Sequence, residues 1–578
     1  MARNFRSIWH NHIWKLAIFV FLLTANLVIF YKTYRKYHEE AQYFYLHQML
    51  GDSLCIARAS AATICFNILA VMLSMCKTFV SSLRNLVSKL CVPGIRKLLD
   101  EKKSMHILCG LMLCLLSIVH TVAHCINNFQ FNENFNEEHP GVNLFPKKEQ
   151  MGKYSVFFTT TGATGLLMLV ILVLMFTSSI PSVRRQNYVI FWYTHHLAFP
   201  FIGLLLLHSY GCIIKRQKNL IEHWPGCVYT NETNRASNSI PDDKVYCRAH
   251  AQFDQDPAQA WKWIIVPLVL YIFDRLIRRW RGSKHVDIKK AIWHEGNVIE
   301  LQLVQHGFAA QPGQFIQIQC PEIANFEWHP FTLTKCSLES SKDDHFSVHV
   351  KVVGKWTETL ASQLFTKSKT TSSRKQSLVQ YSKSQSGHIT KLVKNIESLR
   401  IFVDGPYGSP CQDVTAYPIS ICIAAGIGVT PFAAVINSLR FNIEQGKLRR
   451  LYFIWVSRKM DDFHWFLQLL YDFNQELIKM NKPDLFVCKF YLTGKSDDIE
   501  KGTYNHIHNL STDWLSSRLQ FGRPAWEDVF NSISQNHKRE KIGVFYTGPR
   551  SISPILLRMC HTTCRHGNSF EYHKDSFG

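Results

Sequence analysis

The sequence predicts a six-span helical membrane bundle, then a small β-barrel, then an α/β domain. Three observations carry this. The first half holds six apolar runs with Lys and Arg concentrated at run ends, short alternating strands begin near residue 285, and strand–glycine–helix units follow.

The spans fall near 13–31, 54–76, 105–127, 156–180, 188–212 and 260–277, each about as long as the ~20 helical residues that a hydrocarbon core requires. The first run is long and lacks a clear small-residue cleavage site, so it reads as a retained span rather than a signal peptide. The chain is 47% hydrophobic and 13% aromatic over 578 residues. Its mean hydropathy is nevertheless close to zero, at −0.06, so very apolar segments are averaged with a polar remainder.

The net charge of +22 raises nucleic acid as a partner. The basic residues instead cluster at the ends of apolar runs: Lys77, Arg84, Lys89, Arg96, Lys97, Lys102 and Lys103, then Arg184 and Arg185, then Arg275, Arg278, Arg279 and Arg281. This is the positive-inside pattern, and it points to a lipid bilayer and no nucleic acid. It places both termini in the cytosol and the loops near 32–53, 128–155 and 213–259 outside. The last loop holds the sequon Asn231-Glu232-Thr233, a candidate glycosylation site, and Cys227 and Cys247 in a compartment that permits a disulfide. The 17 cysteines form no CxxC pair, which argues against a zinc ribbon or a thioredoxin-like site; most read as packing thiols.

Histidines inside apolar spans are costly and functional by default. His106 and His120 lie fourteen residues apart in the third span, and His195 and His208 thirteen apart in the fifth. At 1.5 Å per residue each spacing is roughly 20 Å, enough for one haem near each membrane face. Both spans run outward, so His106 pairs with His195 and His120 with His208, as bis-imidazole ligands to haem iron. Thirteen residues miss the same helix face by about 140°, so the fifth span must deviate, with Pro200 as a source of the kink and His196 as a rival ligand. Arg58 and His124 are further polar groups placed to sit at the outer haem, either in oxygen chemistry or as propionate and structural partners.

In the second half, domain boundaries fall at 1–283, 284–415 and 416–578. Strands are expected at Val298 to Val304, Phe315 to Gln319 and Phe346 to Val353, with a disordered insert near 367–388 rich in Ser, Lys, Thr and Gln. His329-Pro330-Phe331-Thr332 offers a Thr hydroxyl to a flavin, and the stretch from Lys351 through Trp356 and Thr357 offers a cation and backbone amides to its pyrophosphate. After the strand Ile419 to Ala424, Gly426, Gly428, Thr430 and Pro431 form a glycine turn and helix start suited to a nucleotide phosphate. Arg458 and Arg523 are candidates for a ribose 2′-phosphate. Thr547, Gly548 and Pro549 follow the last strand, at the nicotinamide.

Together these stretches resemble the NADPH oxidase family over nearly the whole chain. Phe191-Trp192-Tyr193-Thr194-His195-His196, His329-Pro330-Phe331-Thr332-Leu333-Thr334, Asp404-Gly405-Pro406-Tyr407-Gly408-Ser409 and Gly426-Ile427-Gly428-Val429-Thr430-Pro431-Phe432 carry it. Three more stretches, 45–51, 451–456 and 570–578, resemble the renal-type, peroxide-releasing branch, which is constitutively active with a small partner subunit. The resemblance implies FAD, NADPH and two haem b as cofactors. It implies O2 as acceptor, a cytochrome b light-chain partner of the phox type, and residence in the endoplasmic reticulum or plasma membrane. It gives Phe577 the role of the aromatic that stacks on the flavin, and His223 that of a proton donor to superoxide. It also shows a departure: the family's Cys-Gly-Pro has Thr547 in place of Cys. The rival readings are a ferric reductase of the same architecture, whose NADPH oxidation would depend on iron, and a non-catalytic haem protein serving as oxygen sensor or proton conduit.

Overall fold

The computed structural model describes residues 2–89, 93–150, 154–211, 213–229, 246–336, 345–365, 380–383, 389–396, 399–441, 447–494, 510–563 and 567–575. The chain divides into two compact units. One is Lys15–Cys76 with Glu101–Phe273, and the other is Met1–Trp14, Lys77–Asp100 and Asp274–Gly578.

Among the described residues, five helices are long and apolar enough to cross a membrane: Ile13–Glu39, Asp52–Met75, Lys102–Glu133, Thr160–Ser179 and Tyr188–Tyr210. The expected sixth span corresponds to the helix Ala260–Gly282, which Lys262, Asp274 and the following arginines keep out of that set. The helices pack through Ile64, Ile68, Met168, Leu172, Phe201 and Leu205, while Phe21, Leu115, Ile118 and Val170 stay exposed. That is inverted relative to a water-soluble bundle and is what lipid contact requires. A buried polar tie joins the first two helices, where Asn67 Nδ2 donates to Asn26 Oδ1 at 2.6 Å.

The fifth span is broken as its histidine spacing requires, into Tyr188–His195 and Ala198–Tyr210. At the break the backbone tightens to three-residue bonds, Leu197 N to Thr194 O at 3.2 Å and Phe199 N to His196 O at 3.2 Å. Pro200 lies just beyond and has no N–H to offer His196 O, so the regular ladder cannot continue through this point.

The other unit contains two sheets. An eight-stranded antiparallel sheet has the strand order 380–383, 389–396, 287–294, 298–304, 346–351, 329–335, 315–319, 402–407. Strands 298–304 and 315–319 have the expected bounds, whereas the third expected strand ends at Lys351. The disordered insert expected at 367–388 needs correction: Gln380–Lys383 is a strand paired antiparallel with Ile389–Ile396, because main-chain pairing needs no apolar side chains. The rest of that insert lies outside the described residues.

A six-stranded parallel sheet follows in the order 519–521, 486–492, 450–457, 419–425, 541–547, 569–575. Ile421, Cys422 and Ile423 are buried on both faces of its central strand, hence their continuous apolar run. The chain leaves strand 419–425 in one direction and returns to its other side at 541–547. This makes a topological switch point, where sheets of this kind bind ligands beyond the carboxyl ends of their strands.

The basic stretch between the second and third spans forms two helices, Lys77–Lys89 and Pro93–Asp100, within the unit that holds both sheets. Asp274 accepts from the backbone N–H of Thr78 at 2.7 Å and Phe79 at 3.2 Å, capping the first of them. Arg84 bridges Asp100 and Asp413, and Arg96 reaches the same Asp413 at 2.7 Å. Lys97 pairs with Glu571. Deeper in, Asp404 is 1% exposed and accepts from Arg278 at 2.7 Å and Arg281 at 2.9 Å.

Asp404→Ala strands two arginines without their carboxylate and is expected to destabilise this unit by about 3–5 kcal/mol, read as a lower thermal midpoint of the purified chain. A pH effect follows from the neighbouring Tyr417, Glu571 and His573. Tyr417 donates to Glu571 at 2.7 Å and contacts His573 Nε2 at 2.8 Å. Burial pulls His573 from its ordinary 6.5 to about 3, so it stays neutral in the fold. Burial alone would raise Glu571, but Lys97, Lys541 and Tyr417 hold it from 4.5 down to about 2. Both folded values are depressed, so the stabilisation is complete above pH 6.5 and is lost as pH falls, first through His573 and then, below 4.5, through Glu571. Thermal midpoints measured along this range should decline, and His573→Gln should flatten the upper part of the decline.

Candidate active site

The four span histidines meet in the expected pairs. The rings of His106 and His195 lie 6.0 Å apart, and those of His120 and His208 lie 6.2 Å apart. Each ring is oriented through Nδ1: His106 toward Ser74, His195 toward Ser179, His208 toward Thr164, and His120 toward Ala57 O and Ser60. That leaves Nε2 of every ring as the nitrogen available to a ligand. An iron ~2 Å from a nitrogen of each ring puts the ring centres about 6 Å apart, so the residues present fit a bis-imidazole haem at both levels. Gly165 makes room for this, since a Cβ there would stand 3.2 Å from the His208 ring. His196 is turned away, its Nδ1 on Trp192 O and its ring on the Trp192 indole.

Beside the second pair is a cavity of 390 Å³ lined by His120, His124, His208, Arg58, Tyr37 and Asp256, among others. His124 lies 4.5 Å from the His120 ring, and Arg58 Nη2 is 3.3 Å from Asp256 Oδ2. His223 does not line this cavity. It is 1% exposed, with Nδ1 on Ala249 O at 2.9 Å and Nε2 on Tyr45 OH at 2.8 Å, so both ring nitrogens are engaged. Cys227 and Cys247 are joined by a disulfide. Asn231 lies outside the described residues.

In the antiparallel sheet, the two stretches expected at a flavin come together: the His329 ring lies over Trp356 at 4.3 Å, with Phe331 stacked at 6.1 Å. Pro330 is exposed and Thr332 buried on the same strand. Thr357 accepts from the N–H groups of Val353 and Gly354, both at 3.1 Å, and so closes the turn that opens the helix Lys355–Phe365. Lys351 is engaged elsewhere, 3.6 Å from Asp462 and over the Trp465 ring.

At the switch point, Gly426 has φ +56° and begins a tight turn, and Thr430–Phe441 continues it as a helix with Pro431 in its first turn. Gly428 is required by space: a Cβ there would lie 2.2 Å from Thr547 O and 3.2 Å from Gly548 N. The turn and the 547–549 stretch are thus in direct backbone contact. Thr547 is buried, and a thiol does approach it, Cys411 Sγ at 3.8 Å from its hydroxyl; burial pushes that thiol well up, so it remains protonated. Pro549 O accepts from Tyr546 OH at 2.6 Å. Arg458 and Arg523 are both exposed beyond the carboxyl ends of their strands, Arg458 on the neighbour of the central strand and Arg523 two strands farther out. Phe577 lies outside the described residues.

Sequence reasoning missed Gly165, Tyr37, Asp256 and Cys411. Only Asp256 carried a signal, a carboxylate just before an apolar helix. Gly428→Ala should push the helix start off the 547–548 backbone and destabilise this unit by about 1–3 kcal/mol, read as a lower thermal midpoint of the purified chain.

Family comparison agrees with this layout. Residues 59–206 match a ferric reductase like transmembrane component, 283–411 an FAD-binding domain, and 420–560 a ferric reductase NAD binding domain. Over 601 aligned residues the chain is 37% identical to NADPH oxidase 4 of Rattus norvegicus, covering 100% of both chains. It is 36% identical to that of Homo sapiens, again over 100% of each. Against NADPH oxidase 1 of Mus musculus it is 31% identical, over 95% of this chain and 91% of the relative.

Proposed function

The chain belongs to the NADPH oxidase family and is a transmembrane NADPH oxidase with FAD- and NADPH-binding domains, and we propose that two haems held by His106–His195 and His120–His208 link its flavin to oxygen. The observation that carries the haem reading is the pair of facing imidazoles at each level, every one oriented through Nδ1. When bound, FAD accepts hydride from NADPH and the haems pass single electrons outward.

The residues do the rest. Serine and threonine hydroxyls and a helix carbonyl fix the imidazole tautomers. His120 and His208 would hold the second haem, and Arg58 and His124 beside them would be the polar groups that meet oxygen where that haem supplies electrons. Thr332 and the helix start at Lys355–Thr357 would hold the flavin, while the Gly426–Pro431 turn would hold the nucleotide phosphates. Arg458, on the strand next to the central one, would meet the 2′-phosphate, and Phe577 would be the aromatic that stacks on the flavin.

The helix Ala260–Gly282 serves as a sixth span, and the antiparallel sheet closes as a barrel. Domain limits of 1–283, 284–415 and 416–578 suit this division of labour. Hydrogen peroxide is the favoured product. A cytochrome b light-chain subunit, cytosolic termini, glycosylation at Asn231 and residence in the endoplasmic reticulum or plasma membrane complete the reading.

His120→Leu and His208→Leu should each remove one b-type haem signal and abolish oxygen reduction while NADPH-to-dye activity persists. Unchanged haem spectra in both variants would refute the ligand assignment. Oxygen consumption without added iron separates this reading from a metal reductase.

A further inference from the structure

Three neighbouring strands of the antiparallel sheet, 287–294, 298–304 and 346–351, bring His294, Glu300 and His349 together on one face. The register does this. Glu300 stands directly opposite His349 on one side and Ile292 on the other, and His294 is two residues beyond Ile292, so all three side chains share a face. Glu300 Oε2 lies 3.1 Å from His294 Nε2 and 3.8 Å from His349 Nε2. His349 is buried and the other two are half-buried, and among the described residues no Lys or Arg pairs with this carboxylate. Its other oxygen accepts from Gln302 Nε2 at 2.8 Å. Thr334 gives its hydroxyl proton to Ser347 O at 3.1 Å, so the Thr334 oxygen accepts from His349 Nδ1 at 3.0 Å. Burial pulls His349 from 6.5 to about 4, so the ring is neutral and its single N–H is the one at Nδ1. The lone pair on Nε2 therefore faces a carboxylate oxygen, too far off for a hydrogen bond. Two acceptors turned toward each other repel, and a cation between them removes the conflict.

We propose that His294, Glu300 and His349 form a zinc site, with Nε2 of each ring and Oε2 of the carboxylate as ligands and a water as the fourth. Zinc takes imidazole nitrogen and carboxylate oxygen at about 2.0–2.2 Å, which in a tetrahedron puts ligand atoms roughly 3.3 Å apart. The separations of 3.1 and 3.8 Å bracket that value. The surroundings of the ligands are also those of a metal site. Thr334 sets the His349 tautomer that leaves Nε2 free to ligate, and Gln302 holds the second carboxylate oxygen away from the ion. Phe466 covers His349, its ring centre 4.5 Å from the imidazole, while the half-buried His294 and Glu300 leave the opposite side open to a water. Three protein ligands with one covered side suit a four-coordinate ion better than a six-coordinate one. None of the three is among the residues assigned to flavin or nucleotide. An ion here ties the hairpin 287–304 to the strand 346–351, so its effect is on stability.

The test uses the full chain, free of any affinity tag, in lipid nanodiscs after dialysis against a chelator. Zinc chloride is titrated back, and bound metal is counted by elemental mass spectrometry, which separates zinc from haem iron. Uptake of one zinc per chain is expected, with a rise in the thermal midpoint. His349→Gln and His294→Gln should each weaken zinc binding on the order of 100-fold, the upper end of what losing even an outer-shell partner costs, and abolish the rise. His294→Gln keeps an N–H for Glu300, so it distinguishes a metal site from a triad held by hydrogen bonds alone. It also stands by itself if His349→Gln fails to fold. A chain that takes up no zinc overturns the proposal, and so does a bound zinc whose affinity His294→Gln leaves unchanged.

Discussion

Two imidazoles can face each other across about 6 Å inside an apolar helical layer only when the far nitrogen of each is anchored, because an unpaired ring donor in that setting is expensive. Ser74, Ser179, Thr164, and Ala57 O with Ser60 supply the anchors. Much else in the bundle serves this geometry. The break after His195 lets two half-helices present their histidines to one partner helix. Gly165 gives up its side chain so that the His208 ring can fit.

Charge does comparable work in the unit that carries the sheets. The basic residues between the second and third spans would serve orientation in the membrane on composition alone. In the fold, Arg84, Arg96 and Lys97 are committed to Asp413, on the short helix just before the nucleotide sheet, and to Glu571, on the sheet's edge strand. Asp404 has a similar place in the flavin-binding half, held by Arg278 and Arg281. Partly buried pairs of this kind contribute little to net stability by comparison with apolar packing, but losing one partner is costly, so they enforce one arrangement. The same residues that satisfy a positive-inside rule thus double as structural ties.

Legibility from sequence tracked how local the cause was. Spans, strands 298–304 and 315–319 and the glycine turn at 426–428 follow from periodicity and turn chemistry within a short window. The histidine pairing was legible because helix rise and direction alone determine which ring meets which. The strand 380–383 was not legible, since its cause is main-chain pairing with 389–396 rather than side-chain pattern. Nor was the burial of His223, which depends on Tyr45, 178 residues away in the chain. The commitment of Lys351 to Asp462 is equally non-local.

By itself, then, the sequence determined the division into membrane and nucleotide-binding parts, the four paired histidines and the glycine turn at 426–428, because each is written in spacing along one element. Tertiary structure alone decided which nitrogen of each histidine stays available, why residue 428 must be glycine, and that Asp256 meets Arg58 across almost 200 residues. Those outcomes depend on contacts between segments far apart in the chain, and no local pattern encodes the distance or angle at which two such segments come to rest.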